Sequence, residues 1–197
     1  MTTHPLRFVA VLLTTLATTT FVPPVASSAA AQATPIHYAA TAINMLSTSG
    51  NAATPINIVV TRWTSRAEQD QAMAALLELG ERAFLEALRK MPSAGSIAPV
   101  GGVGFEVRYA TVTRLPNGTD RVVMITDRPM SFAERWDGGR TTDYAVTWLE
   151  LTLNPSGRGN GQVIAAARVR PDAVNRTVVI ENYNDQPIRL QNVRRMK

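Results

Sequence analysis

The residues best placed for chemistry are three carboxylates, Glu134, Asp137 and Asp143, gathered around Trp136. Two carboxylic acids cleave a glycosidic bond when one is held protonated and the other ionised at a suitable separation. An indole beside them offers a flat face on which a sugar ring stacks. Arg128 and Arg140 lie in the same stretch and, with Trp136, are the candidate ligand-binding residues. The same arginines, together with Arg135, can instead pair with the acids in solvent-exposed salt bridges, and Trp136 can cover an open sheet edge. Spacing alone does not separate a carboxylate-based hydrolase acting on a polysaccharide from a solvated loop.

Other catalytic chemistries are closed off by composition. The chain has no cysteine, which removes thiol nucleophiles and thiolate metal sites. Its two histidines are His4 and His37, so the expected folded region, residues 55–197, has no imidazole to act as a base or to bind metal. Lysine occurs only at Lys90 and Lys197, which leaves little for Schiff-base or Ser–Lys chemistry. Gly101-Gly102-Val103-Gly104 has the composition of an anion-cradling loop, but such loops run from a strand into a helix, and here the expected order is helix, loop, strand. Asn154, Ser156 and Asn160 offer oxygens without the carboxylates that give calcium loops their affinity. No cofactor and no metal is expected.

The charge balance is basic, with 20 Lys plus Arg against 15 Asp plus Glu. Arg189, Arg194, Arg195 and Lys197 form a cluster near the carboxyl end with no interleaved aromatic residues. That pattern argues against nucleic acid and reads as a solvated end.

The elements that would position these residues follow an amino-terminal leader. Arg7 precedes an apolar run from Phe8 to Val22, stopped by Pro23-Pro24 and followed by small residues ending in Ala31-Gln32-Ala33. This is the order of a secretory signal, with cleavage expected before Thr34 and 197 − 33 = 164 residues remaining. Threonines interrupt the run well short of the roughly 20 apolar residues that span a bilayer. Residues 1–33 are therefore expected to be a signal peptide and the product to be exported, periplasmic or extracellular, with no stable membrane insertion after cleavage.

Residues 34–54 are mostly Ala, Thr, Ser and Asn and read as a flexible linker. The domain then spans 55–197. Ile56 to Trp63 suits a strand, and Ser65-Arg66-Ala67-Glu68 has capping-box spacing at the start of a helix. Met73, Leu76, Leu77, Phe84, Leu85 and Leu88 recur at helical spacing, and Gly80 can break the segment in two. Alternating strands follow, with a phase change in residues 143–153 that predicts a β-bulge or a strand buried on both faces. Asn154 to Gly161 reads as a hairpin loop. The expected fold is α+β, an antiparallel sheet of about six or seven strands packed by one helix. Trp63, Phe105, Tyr109, Tyr144 and Trp148 could line a concave face for a small apolar ligand, or else form ordinary core.

Ile56 to Trp63, Asp127-Arg128-Pro129, Ile180-Glu181-Asn182-Tyr183 and Gln186-Pro187-Ile188-Arg189-Leu190 resemble a group of uncharacterised exported bacterial proteins. The resemblance covers most of the expected mature chain. It implies export and a shared domain, and it supplies no activity and no functional residue. The functional expectation is a non-catalytic binding or structural domain of the cell envelope or extracellular space, with a small apolar or saccharide ligand as partner. The alternative is the polysaccharide hydrolase.

Overall fold

Along β1 (Ile36–Asn44), Ile36, Tyr38, Ala40 and Ala42 turn inward while His37, Ala39, Thr41 and Ile43 turn outward, the period-two pattern of a half-buried strand. A computed structural model of the chain describes residues 34–44, 52–130, 144–172, 177–182 and 187–196. After β1 come β2 (Ala52–Val60) and the helices α1 (Arg66–Ala74) and α2 (Glu81–Lys90), joined by a π-helical turn at Ala75–Leu79. Then follow β3 (Gly95–Pro99), β4 (Phe105–Arg114), β5 (Asp120–Thr126) and β6 (Val146–Leu153). The last three strands are β7 (Arg158–Asp172), β8 (Thr177–Asn182) and β9 (Ile188–Arg195).

Strand neighbours run β6-β5-β4-β3-β2-β1-β9-β7, all antiparallel, and β7 pairs back onto β6, so eight strands close into a barrel. β8 is the extra strand, added to β7 beyond the point where β9 ends. Insertion of β9 between β1 and β7 leaves the barrel without the unpaired edges of an open sheet. This corrects the expected α+β sheet of six or seven strands packed by one helix: the described residues are mostly sheet, closed on itself, with two short helices.

Residues 34–54 were expected to be a linker, yet they hold β1 and the start of β2. Small inward residues explain the difference. Ala40 and Ala42 give little apolar signal, but small side chains are what the interior of a narrow barrel admits. The strand β3 was likewise hidden in the connection after the helix. Arg158 to Gly161, expected within a hairpin loop, opens β7 instead. A Cβ on Gly159 would drive into the Thr152 carbonyl oxygen, so glycine here permits the close approach of β7 to β6.

The barrel wall separates two apolar clusters. Inside, Ile58, Ile97, Met124, Leu149, Leu151 and Leu190 are fully buried and, with their neighbours, fill the interior as a packed core. Outside, Leu76, Phe84 and Leu88 of the helical segment pack on Ile125, Ile164 and Val169 of the wall. The capping box forms as its spacing predicts, with the Ser65 hydroxyl accepting from Glu68 N and the Glu68 carboxylate accepting from Ser65 N. Gly80, at φ 86°, adopts a left-handed conformation that ends the first helical piece and starts α2. Met73, expected on the apolar face, is exposed. The apparent phase change in β6 is a strand buried on both faces: Val146 and Trp148 face the outer cluster under the helices while Leu149, Leu151 and Leu153 face the interior, and the register shift beside them lies in β7, between Ile164 and Ala167. Trp63 and Phe105 pack on the interior cluster and Tyr109 and Trp148 on the outer one, so these aromatics do not share a concave face. No helix among the described residues is long and apolar enough to cross a membrane.

Candidate functional site

Charge is divided unevenly around the barrel. On the strands near the helices, arginines meet carboxylates across the surface. Arg121 reaches Glu150 through two hydrogen bonds of 2.8 and 2.9 Å, joining β5 to β6. Arg108 sits between Glu106 at 2.8 Å and Asp127 at 3.3 Å. Arg168 of β7 meets Glu81 at the start of α2, at 3.0 Å, and Arg170 meets Glu181 of β8 at 3.3 Å. These pairs hold strands and helices together, and their charges are locally balanced.

The opposite wall is built from β2, β1, β9 and the first half of β7, residues 158–163. None of these strand segments contains Asp or Glu. Alternation turns Arg158, Asn160 and Gln162 of β7 and Arg189, Gln191 and Arg194 of β9 outward, all exposed. His37 is exposed on neighbouring β1. In the β7–β9 ladder Arg158 lies directly opposite Arg194. Like charges in such a cross-strand pair destabilise a sheet. Among the described residues, Arg158, Arg189 and Arg194 meet no carboxylate.

One depression marks this wall. It is shallow, with a volume of about 330 Å³, and is lined by Asn160, Gly161, Arg189, Leu190, Gln191 and Asn192. The pairing of β7 with β9 shifts register between Gly159 and Gly161, and Asn192 takes a left-handed φ of 54°. That bulge lets Leu190 and Val193 both stay in the core while Gln191 and Asn192 between them are exposed. Gly161 contributes backbone to the lining, and a Cβ there would strike Glu150 O and Leu151 of β6, so glycine permits the close approach of β7 to β6.

Glu134, Asp137, Asp143, Trp136 and Arg140 lie outside the described residues. Arg128, the remaining predicted ligand-binding residue, stands with its guanidinium 5.7 Å from the centroid of the Phe105 ring. Its carbonyl accepts from the Thr126 hydroxyl. Next to it, the Thr147 hydroxyl donates to Ala165 O at 2.8 Å and accepts from Met130 N at 2.8 Å, so a buried polar network anchors this corner to the barrel. In the Asn154 turn, Asn154 Oδ1 accepts from Ser156 N and Arg158 N, which commits its oxygen to the turn.

The shifted titrating groups among the described residues have structural causes. The Arg62 hydrogen bonds hold the Glu68 carboxyl at about 2, and burial pushes the Tyr38 and Tyr109 phenols upward. Each shift moves away from neutrality, the reverse of what a general acid or base requires. No group of three or more His, Asp or Glu among the described residues is arranged to hold a metal.

The basic carboxyl-terminal residues were read as a solvated end. The structure instead builds Arg189, Arg194 and Arg195 into β9, the strand that closes the barrel. The alternation Arg189, Leu190, Gln191 was a strand signal in the sequence, but the facing Arg158 is a matter of tertiary register.

No protein-family model, curated protein or solved structure matches the chain.

Proposed function

We propose that this chain is an exported, non-catalytic binding domain of the periplasm or extracellular space that holds an anionic partner against the outer wall of β7, β9 and β1. The observation that carries the reading is Arg158 opposite Arg194 among strand segments that contain no Asp or Glu. Such a pair costs the fold stability, and an anion lying across both guanidinium groups turns that cost into binding energy. The filled interior favours recognition on the surface over capture of an apolar ligand inside. Export rests on the leader-like residues 1–33 and on the likeness to exported bacterial proteins, and a cut before Thr34 leaves β1 whole.

Binding of the purified protein to dextran sulfate, followed over a range of salt concentrations, tests the reading. The affinity should be measurable near 0.1 M salt and fall as salt rises, because exposed charges are screened over about 10 Å there. Replacing Arg158, Arg189 and Arg194 together by Ser should weaken it about tenfold or more. Equal affinity of variant and wild type, or no binding by either, would overturn the proposal.

A further inference from the structure

We infer that the depression between β7 and β9 is a subsite for one acidic sugar unit of a carboxylated polysaccharide. This deepens the anion-binding reading and rests on it. The lining residues combine one guanidinium, Arg189, with three side-chain amides, Asn160, Gln191 and Asn192. A guanidinium is a planar fork of donors that matches a carboxylate through two parallel hydrogen bonds. Amides both donate and accept, which complements hydroxyl groups that do the same. Sulfate and ionised phosphate only accept, so they would leave the amide oxygens without partners. A nucleic acid would want an aromatic platform for its bases, and the lining has none.

The backbone supports the same assignment. Asn192 is the only non-glycine with a left-handed φ among the described residues, and it stands in this depression beside the register shift. The bulge turns Gln191 and Asn192, adjacent in the chain, both toward solvent, a concentration of amides that regular alternation would not give. The depression is shallow and open, so a ring lying in it keeps one face in solvent, as one unit of a polymer running along the wall would. Five residues along β9, Arg194 and the facing Arg158 continue the positive track. At strand rise that is roughly 15 Å, so a polymer of several units reaches both places where a free monosaccharide reaches one.

Calorimetric titration of the full-length purified protein with an oligogalacturonate, its methyl ester, dextran sulfate and a single-stranded DNA oligomer tests the subsite. The oligogalacturonate should bind, and esterification, which removes its charge while keeping the hydroxyls, should weaken it about tenfold or more. Arg189→Gln should lower oligogalacturonate affinity about tenfold. Asn160→Ala and Gln191→Ala should each lower it about threefold while changing dextran sulfate affinity less than about twofold. These are exposed strand positions, and unchanged thermal melting would confirm that the variants fold. The subsite is overturned if dextran sulfate or DNA binds as tightly as the oligogalacturonate and the two alanine variants change nothing. That result leaves the cationic wall standing, whereas failure of every polyanion to bind removes both.

Discussion

Arg62 and Glu68 meet face to face, Nη1 to Oε2 at 2.9 Å and Nη2 to Oε1 at 3.0 Å, in a pair that ties the end of β2 to the start of α1. Arg62 also donates to the carbonyls of Pro92 and Ser93, so one guanidinium gathers both ends of the helical segment onto the barrel. Glu68 in turn accepts from the backbone and hydroxyl of Ser65. The pair therefore fixes where the helices sit on the outer wall.

The pair makes stability depend on acid. The Arg62 hydrogen bonds, against an opposing effect of burial, lower the Glu68 pKa from 4.5 to about 2. A carboxylate with a depressed folded pKa stabilises fully above its unfolded value, and that contribution is lost as pH falls from about 4.5 through about 2. Partial exposure of both side chains, 28% and 23%, screens the pair, so about 1–2 kcal/mol is at stake. Urea unfolding at pH 7 and pH 3 should show that decline, and Glu68→Gln should lower stability at pH 7 and flatten the difference.

Thr147 is the polar joint where β5, β6 and β7 come together. Its hydroxyl serves Ala165 O and Met130 N, and its own N–H donates to Thr126 Oγ1 at 3.0 Å. Thr147→Val keeps the shape but leaves the Thr147 hydroxyl's partners with fewer bonds in a buried place. A loss of about 1–3 kcal/mol in chemical unfolding is expected. An unchanged unfolding midpoint would show that the network contributes nothing.

Residues 36–44 are a structural strand, and β1 bonds to β2 on one side and β9 on the other. Deleting them would expose both partner edges and open the interior around Tyr38 and Ala40. The truncated chain should aggregate or lose cooperative melting. A cooperative transition at the wild-type temperature would return this stretch to the status of a linker.

Arg158 and Arg194 offer a test in which stability and binding move in opposite directions. Arg194→Ser removes a like-charge cross-strand pair and should stabilise the fold by about 0.2–1 kcal/mol. The same change should weaken dextran sulfate binding. Loss of both stability and affinity would mean that Arg194 serves the fold, contrary to the role assigned here.

Most of the local elements were legible because they depend on near neighbours. The Ser65–Glu68 spacing set the helix start, Gly80 the break, and alternation the strands from β4 to β9. What failed depended on partners far away in the chain. The small size of Ala40 and Ala42 concealed β1, whose inward residues matter only once a barrel encloses them. Gly159 and Gly161 looked like turn residues because the need for close strand approach is invisible without β6 beside them.

The candidate site divides in the same way. Composition determined that thiol and, across most of the chain, imidazole chemistry were absent, and it placed cations near the carboxyl end. Only the tertiary structure decided that those cations belong to a closing strand, that Arg194 faces Arg158, and that the strand segments beside them contain no Asp or Glu. The reason is physical: side-chain direction along a strand follows from a two-residue period, whereas closure and register follow from backbone pairing between segments more than a hundred residues apart, such as β1 and β9.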